Sequence, residues 1–294
     1  MYGEIDQVRL LGFFVVAGIS RFFMRTTVVA TVTVAGLSLP LVLYTLVTIK
    51  VPMPDSEIEL IWESDLAIAI NKPAGLPTQA AVGIESVETR LTLQLDRGDG
   101  YLAFPHRLDR AVSGVLLVAL TKRAARLLSA QFASRKTAKS YLAIVEGQCD
   151  VQQRWDDDLR KIDGKPQAEI CDADDAGARH ASTDVTTLRV DHSNNRTLLR
   201  LDPITGRMHQ LRLQTAHRGH PIIGDVLYGA HDIAGSDIAG SGIATDRILL
   251  HAQRLGFHDP ASGKRLLVEA NCAFADFLAE CDDDARPPGT GASI

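Results

Sequence analysis

An α+β fold is predicted from Met53 onward, on three observations. Apolar runs of strand length outnumber helical patterns. The helical patterns interrupt the strands irregularly, with no βαβαβ rhythm. No Gly-x-Gly-x-x-Gly or Walker loop follows a strand, so no nucleotide cofactor is expected.

The elements follow in order. Residues 58–62 and 66–70 read as short strands split by Glu63-Ser64-Asp65. Asn71-Lys-Pro-Ala-Gly75 is a turn, with proline setting φ and glycine supplying freedom. Residues 115–120 form an apolar run bounded by Gly114 and Thr121, a buried strand. Thr121 is placed to N-cap a helix over 122–134, whose apolar face is Ala124, Leu127, Leu128 and Phe132. Another strand covers 141–145, and 183–190 with 197–201 read as a hairpin. Gly206 precedes a helix over 208–217 that Gly219 closes. Late strands are expected at 249–255 and 265–268.

The chain has 294 residues, 46% of them hydrophobic and 23% charged, enough for a core without disulfides or metal. Its four cysteines and nine histidines show no ligand spacing, so no metal site is expected and the thiols read as reduced. Three segments are expected. Residues 1–52 are an apolar extension, 53–285 a folded domain and 286–294 a disordered tail. The stretch 10–49 is long and apolar enough for a membrane segment, although Pro40 and many Thr and Val residues suit a helix poorly. Its other readings are an extension packed on the domain, or an untranslated leader upstream of a start near Met53. A repeat, Asp-Ile-Ala-Gly-Ser at 232–236 and again at 237–241, reads as a surface loop.

Net charge is −5, which by itself speaks against a polyanionic partner. The distribution reverses that reading. Between His106 and Tyr141 stand Arg107, Arg110, Lys122, Arg123, Arg126, Arg135, Lys136 and Lys139 against one acid, Asp109. The acids gather at 156–158, 172–175 and 276–284. A local basic field can steer a polyanion whatever the total. Within it, Asp109 sits between Arg107 and Arg110, neighbours that favour a charged carboxylate, able to act as nucleophile or electrostatic stabiliser. In isolation such a group is equally a surface ion-pair cluster.

The motifs around it resemble one family. His106-Arg-Leu-Asp-Arg-Ala-Val-Ser-Gly114 leads into the strand, Lys139-Ser-Tyr141 opens the next, and Ile204-Thr-Gly-Arg-Met-His-Gln-Leu-Arg212 follows. Gly219-His-Pro-Ile-Ile-Gly-Asp225, Leu249-Leu-His-Ala252 and Asn71-Lys-Pro-Ala-Gly75 complete the set. Together they resemble the RluA-type RNA pseudouridine synthases over roughly 58–275. Val112 departs from the usual threonine, and no S4-type RNA-binding domain is visible.

The resemblance implies a long, mostly antiparallel mixed sheet with flanking helices and a central cleft. It implies an isomerase without cofactors that acts on a uridine flipped out of rRNA or tRNA. Asp109 would be the catalytic aspartate, Arg207 the arginine paired with it, and Tyr141 the active-site tyrosine. Arg107 would fill the gap left by the flipped base. His106, Arg110 and Lys139 are further RNA-contact candidates, His106 being equally readable as a buried structural histidine. Leu250 and Leu116 would wall the uracil pocket or belong to the core. A cytoplasmic monomer is expected. The rival readings are a non-catalytic RNA-remodelling relative and a membrane-tethered protein built on the apolar N-terminus.

Overall fold

The computed structural model describes residues 57–97, 100–231, 247–272 and 274, together with the backbone of three strands nearer the N-terminus. The tandem repeat and the tail at 286–294 lie outside the described residues. The chain divides into two units, residues 1–57 with 92–100, and the remainder.

In the first unit, β1 (Phe14–Val15), β2 (Met24–Val34) and β3 (Leu37–Val47) pair antiparallel in that order. β2 and β3 run in continuous register from Met24↔Val47 to Val34↔Leu37. Their many β-branched residues suit strands. Residues 24–34 and 37–47 of the apolar stretch are thus paired strands and not a single helix. No described helix is long and apolar enough to cross a membrane.

The second unit is built on a ten-stranded sheet. Its strands are β4 (Glu59–Glu63), β5 (Ala67–Lys72), β6 (Ser113–Ala119), β7 (Ala138–Glu146), β8 (Gln152–Lys161), β9 (Ala168–Cys171), β10 (Arg179–Asp191), β11 (Arg196–Pro203), β12 (Leu250–His258) and β13 (Arg265–Glu269). The order is β4-β5-β6-β12-β7-β11-β10-β8-β9, with β13 on β12. The β6–β12 pair is parallel and the other pairs are antiparallel. The helices are α1 (Val87–Gln94), α2 (Lys122–Ala133) and α3 (Gln210–His217). Thr121 caps α2 as expected, its Oγ1 accepting the Ala124 N–H at 3.1 Å.

α2 and α3 share one face of the sheet. Under α2 lie Val115, Leu117 and Ala119 of β6 with Leu255 and Phe257 of β12. Leu255 pairs with Lys139, so Lys139 and, two residues on, Tyr141 face the same way. Under α3, Leu213 packs on Leu159, Ala168 and Ala181. Thr183 of β10 bonds the α3 residue Gln214, and the register through Val185, Leu201 and Tyr141 puts all of these on that same face. Tyr141 therefore lies between the two helices. The opposite face carries its own core of Leu142, Ile144, Leu198, Ile223, Leu249 and Phe274.

Gly114 is a fixed requirement of the sheet. Its φ is +113°, and a Cβ there would lie 2.2 Å from the Ala252 carbonyl oxygen across the β6–β12 pair. Only glycine allows that approach.

Three elements escape a reading by periodicity. β8, Gln-Gln-Arg-Trp-Asp-Asp-Asp-Leu-Arg-Lys, buries only Trp155 and Leu159. β9 has four residues and α1 eight. α3 starts at Gln210, because His209 before it is left-handed.

Candidate active site

Asp109 ends the stretch that enters β6. A turn, Val112 N–H to Asp109 C=O at 3.1 Å, folds the chain back toward the strand. The loop is tied down from below by Lys72, whose side chain is fully buried. Lys72 Nζ donates to the carbonyls of Leu76 at 2.7 Å, Pro73 at 2.8 Å and Arg110 at 3.2 Å. Burial pushes the Lys72 amine down to about 7, opposed by the Asp109 charge and aided by Arg247. The three carbonyl acceptors match the three protons of an ammonium. Thr78 adds a fourth tie, its Oγ1 donating to the Leu108 carbonyl at 3.1 Å.

The partner of the Asp109 carboxylate is Arg212. Its Nη1 donates to Asp109 Oδ2 at 3.0 Å, while Nε and Nη2 hold both Asp225 oxygens at 2.7 Å. Burial works against the Arg212 charge, but Asp225 and then Asp109 outweigh it and its pKa is raised. α3 is held rigidly to present this side chain. Gln210 Nε2 donates to the Thr183 hydroxyl at 2.8 Å and the Ser182 carbonyl at 3.1 Å. Gln214 accepts the Thr183 hydroxyl at 2.7 Å and donates to Asp157 at 2.7 Å. Buried amides with every partner present fix a helix's rotation about its axis. His209 Nε2 stands 3.5 Å from Asp109 Oδ2, and its Nδ1 is 2.8 Å from the Tyr228 hydroxyl.

Arg207 therefore does not take the place that the resemblance gave it. It lies in the turn before α3 and donates Nε to the His180 carbonyl at 2.9 Å. Position 212 is about one and a half turns further on, inside the helix, where the guanidinium reaches Asp109. Both arginines stand in the same sequence motif, and only the helix start at Gln210 separates their surroundings.

Tyr141 sits on β7 beside this group. Burial pushes its phenol up, and the Asp109 charge pushes it further, so the hydroxyl keeps its proton. Leu250 pairs with Ala143 and shares the Tyr141 face. Leu116 does not. It alternates with Leu117, which faces α2, so it points to the other side of the sheet and is a core residue.

His106 is half-buried and bonded within the fold. Its Nε2 accepts the Leu117 N–H at 3.0 Å and its ring stacks on Phe132 at 4.5 Å between centroids. The β6–β12 ladder spans only residues 113–114 of β6, and the imidazole supplies an acceptor beyond it. Burial, with the Lys139 charge, pushes its pKa down to about 3, so the ring is neutral. Arg110 clamps the loop, donating Nε to the Gly75 carbonyl at 2.8 Å while its own carbonyl accepts the Gly75 N–H at 2.9 Å. Lys139 donates to the Thr205 carbonyl at 2.9 Å, and burial, then Arg135, lowers its pKa to about 8. Arg107 is exposed.

Lys72, His209, Arg212, Asp225 and Tyr228 are the site residues that motif reading passed over. Four lie inside motifs recognised for other reasons, and Tyr228 follows Gly224-Asp225 by three residues. Their common signal is a polar or charged group within an apolar or turn-forming run.

The fold and site define an enzyme with a carboxylate held by a buried arginine, on the sheet face that carries two helices and beside a neutral tyrosine. A sequence profile described as RNA pseudouridylate synthase matches residues 66–217. The tRNA pseudouridine synthase C of Pasteurella multocida (strain Pm70) is 36% identical over 230 residues, 74% of this chain and 92% of that protein. The ribosomal large subunit pseudouridine synthase C of Escherichia coli (strain K12) is 31% identical over 72% of this chain and 65% of its own length. Among solved structures, Human RNA Pseudouridylate Synthase Domain Containing 1 superposes with a TM-score of 0.60 at 25% identity, over 78% of this chain and 89% of that one. The chain belongs to the RNA pseudouridylate synthase family. It is an isomerase of uridine in RNA.

Proposed function

We propose that the chain converts uridine to pseudouridine in tRNA, with Asp109 as the reacting carboxylate. The observation that carries this is one charged network: Asp109, held by Arg212 and flanked by Tyr141. The reaction breaks the ribose C1′–N1 bond, turns the base and joins C1′ to C5. The C5 proton leaves and N1 gains one, so no oxidant or energy source is consumed. A uridine must first leave its stack to reach Asp109. Arg107, exposed beside it, has the planar cation needed to occupy the vacated space. Tyr141 keeps its proton and serves as a stacking surface and hydroxyl donor, not as a base at neutral pH.

The choice of tRNA rests on similarity. The tRNA enzyme is 36% identical to this chain and the ribosomal one 31%. The test is release of tritium from [5-³H]uridine-labelled tRNA and, separately, rRNA. We expect turnover on tRNA that Asp109→Ala abolishes. Turnover on rRNA alone would overturn the substrate, and equal activity in both proteins would overturn Asp109.

A further inference from the structure

His209 adopts the left-handed conformation, φ 53° and ψ 23°, at the position before α3. Residues with a β-carbon are uncommon there, histidine being one of those that tolerate it. One ring nitrogen is hydrogen-bonded and the other faces a carboxylate. Nδ1 lies 2.8 Å from the Tyr228 hydroxyl, and Nε2 lies 3.5 Å from Asp109 Oδ2. The Tyr228 oxygen accepts the Ala168 N–H at 3.0 Å, and a bare Nδ1 is the acceptor that stands within reach of its own proton. A bare Nε2 lone pair would repel the carboxylate. Both ends thus select one tautomer, with the proton on Nε2.

We propose that His209 is a positioning residue for Asp109, its Nε2–H aimed by the Tyr228 hydroxyl so that Oδ2 is held and Oδ1 is presented to the uridine. This rests on Asp109 being the reacting carboxylate. Arg212 and His209 both approach Oδ2, and among the described residues no hydrogen bond falls on Oδ1. The carboxylate is thereby given a defined face. At 3.5 Å the His209 contact is long, as such contacts often are before substrate closes the site.

The groups facing His209 are Asp109 from the loop before β6, Arg212 from α3, and Asp225 and Tyr228 from the segment after it. Burial lowers the His209 pKa, Asp109 and Asp225 oppose this and Arg212 adds to it, and the net direction is down. The ring is neutral at pH 7, as a fixed tautomer requires. Protonating Nδ1 in acid would turn the Tyr228 hydroxyl from donor to acceptor and end the single tautomer.

Two measurements test this on the full chain. Nitrogen NMR of ¹⁵N-histidine protein reads the tautomer, and tritium release from [5-³H]uridine-labelled tRNA reads turnover. The wild type should show His209 protonated at Nε2. Tyr228→Phe should show mixed tautomers and a kcat lower by about tenfold at nearly unchanged KM, the signature of a misaimed group and not of weakened binding. The acid limb of its pH profile should move as well. An active wild type with the proton on Nδ1, or Tyr228→Phe with full kcat, would overturn the role of His209. A wild type that releases no tritium from any RNA would overturn the functional reading beneath it.

Discussion

Arg212 bridges two carboxylates of different exposure: Asp225, whose side chain is 1% exposed, and Asp109, whose side chain is 37% exposed. The buried one anchors the guanidinium and the exposed one is left for chemistry. The division explains how a partly exposed charged group stays aimed.

Arg212→Met should therefore harm stability and activity together. It strands Asp225 as a buried charge without its partner, which costs about 3–5 kcal/mol. Arg212→Lys keeps the charge but cannot fork onto both Asp225 oxygens, so the loss should be smaller while turnover still falls. Urea unfolding and tritium release measure the two effects. A methionine variant as stable as the wild type would show that the network is not structural.

Asp109→Asn should separate the two effects. Arg212 keeps Asp225, and the side chain at 109 is partly solvated, so stability should change by no more than about 1 kcal/mol. Turnover should fall by about 10³-fold or more, because the group acts on the reacting atoms themselves. Unfolding curves that superpose, with activity abolished, are the expected pair of results.

How much of this was legible in the sequence depends on where each residue's partners lie. Strands with apolar runs, such as β5, β6 and β7, were readable because burial on both faces leaves a composition signal. β8 was not, because Asp156 and Asp158 look outward while Asp157 turns in to Gln214 and Arg218, and a polar run reads as loop. Asp109 was legible through its neighbours in sequence, yet those neighbours are not what hold it. Arg110 turns to Gly75, and the holding cation comes from 103 residues away. Choosing between Arg207 and Arg212 needed the helix start, which the left-handed His209 sets. Lys72 looked like part of a polar turn, and only the fold reveals it as buried.

Acid should weaken the fold through its neutral histidines. His106 has a folded pKa near 3 and His251 near 4, both below the usual 6.5 and both lowered chiefly by burial. The unfolded chain binds protons at these sites where the folded one does not. Their contribution is thus complete above about pH 6.5 and is lost as pH falls toward 3–4, at up to roughly 1.4 kcal/mol per pH unit for each group. His106→Gln can still accept the Leu117 N–H but cannot titrate. Urea unfolding between about pH 6.5 and 5 should show a shallower slope for it, and an unchanged slope would mean that His106 titrates normally.

Gly114→Ala should fail at the sheet's parallel pair. The added methyl meets the Ala252 carbonyl, and the φ of +113° is strained for alanine as well. Several kcal/mol of destabilisation is expected, on the order of 3 or more, since backbone and not a flexible side chain must move. Thermal unfolding checks this, and a variant with wild-type Tm would mean that β6 and β12 separate there without penalty.

The charge pattern predicts where RNA lies. Lys122, Arg123 and Arg126 are exposed on α2, on the sheet face that carries Tyr141, whereas Asp156 and Asp158 point to the opposite face with His180. A polyanion that reaches Asp109 would then cross α2 without meeting that acidic pair. Arg123→Ala with Arg126→Ala should weaken tRNA binding at every sequence alike. The slope of log K against log salt should become shallower by about one unit for each phosphate that the variant no longer neutralises. Asp156→Asn with Asp158→Asn should leave both affinity and slope unchanged. Filter binding across a salt series measures all three proteins. Affinity that responds to the aspartates and not to the arginines would place the RNA on the other face, out of reach of Asp109.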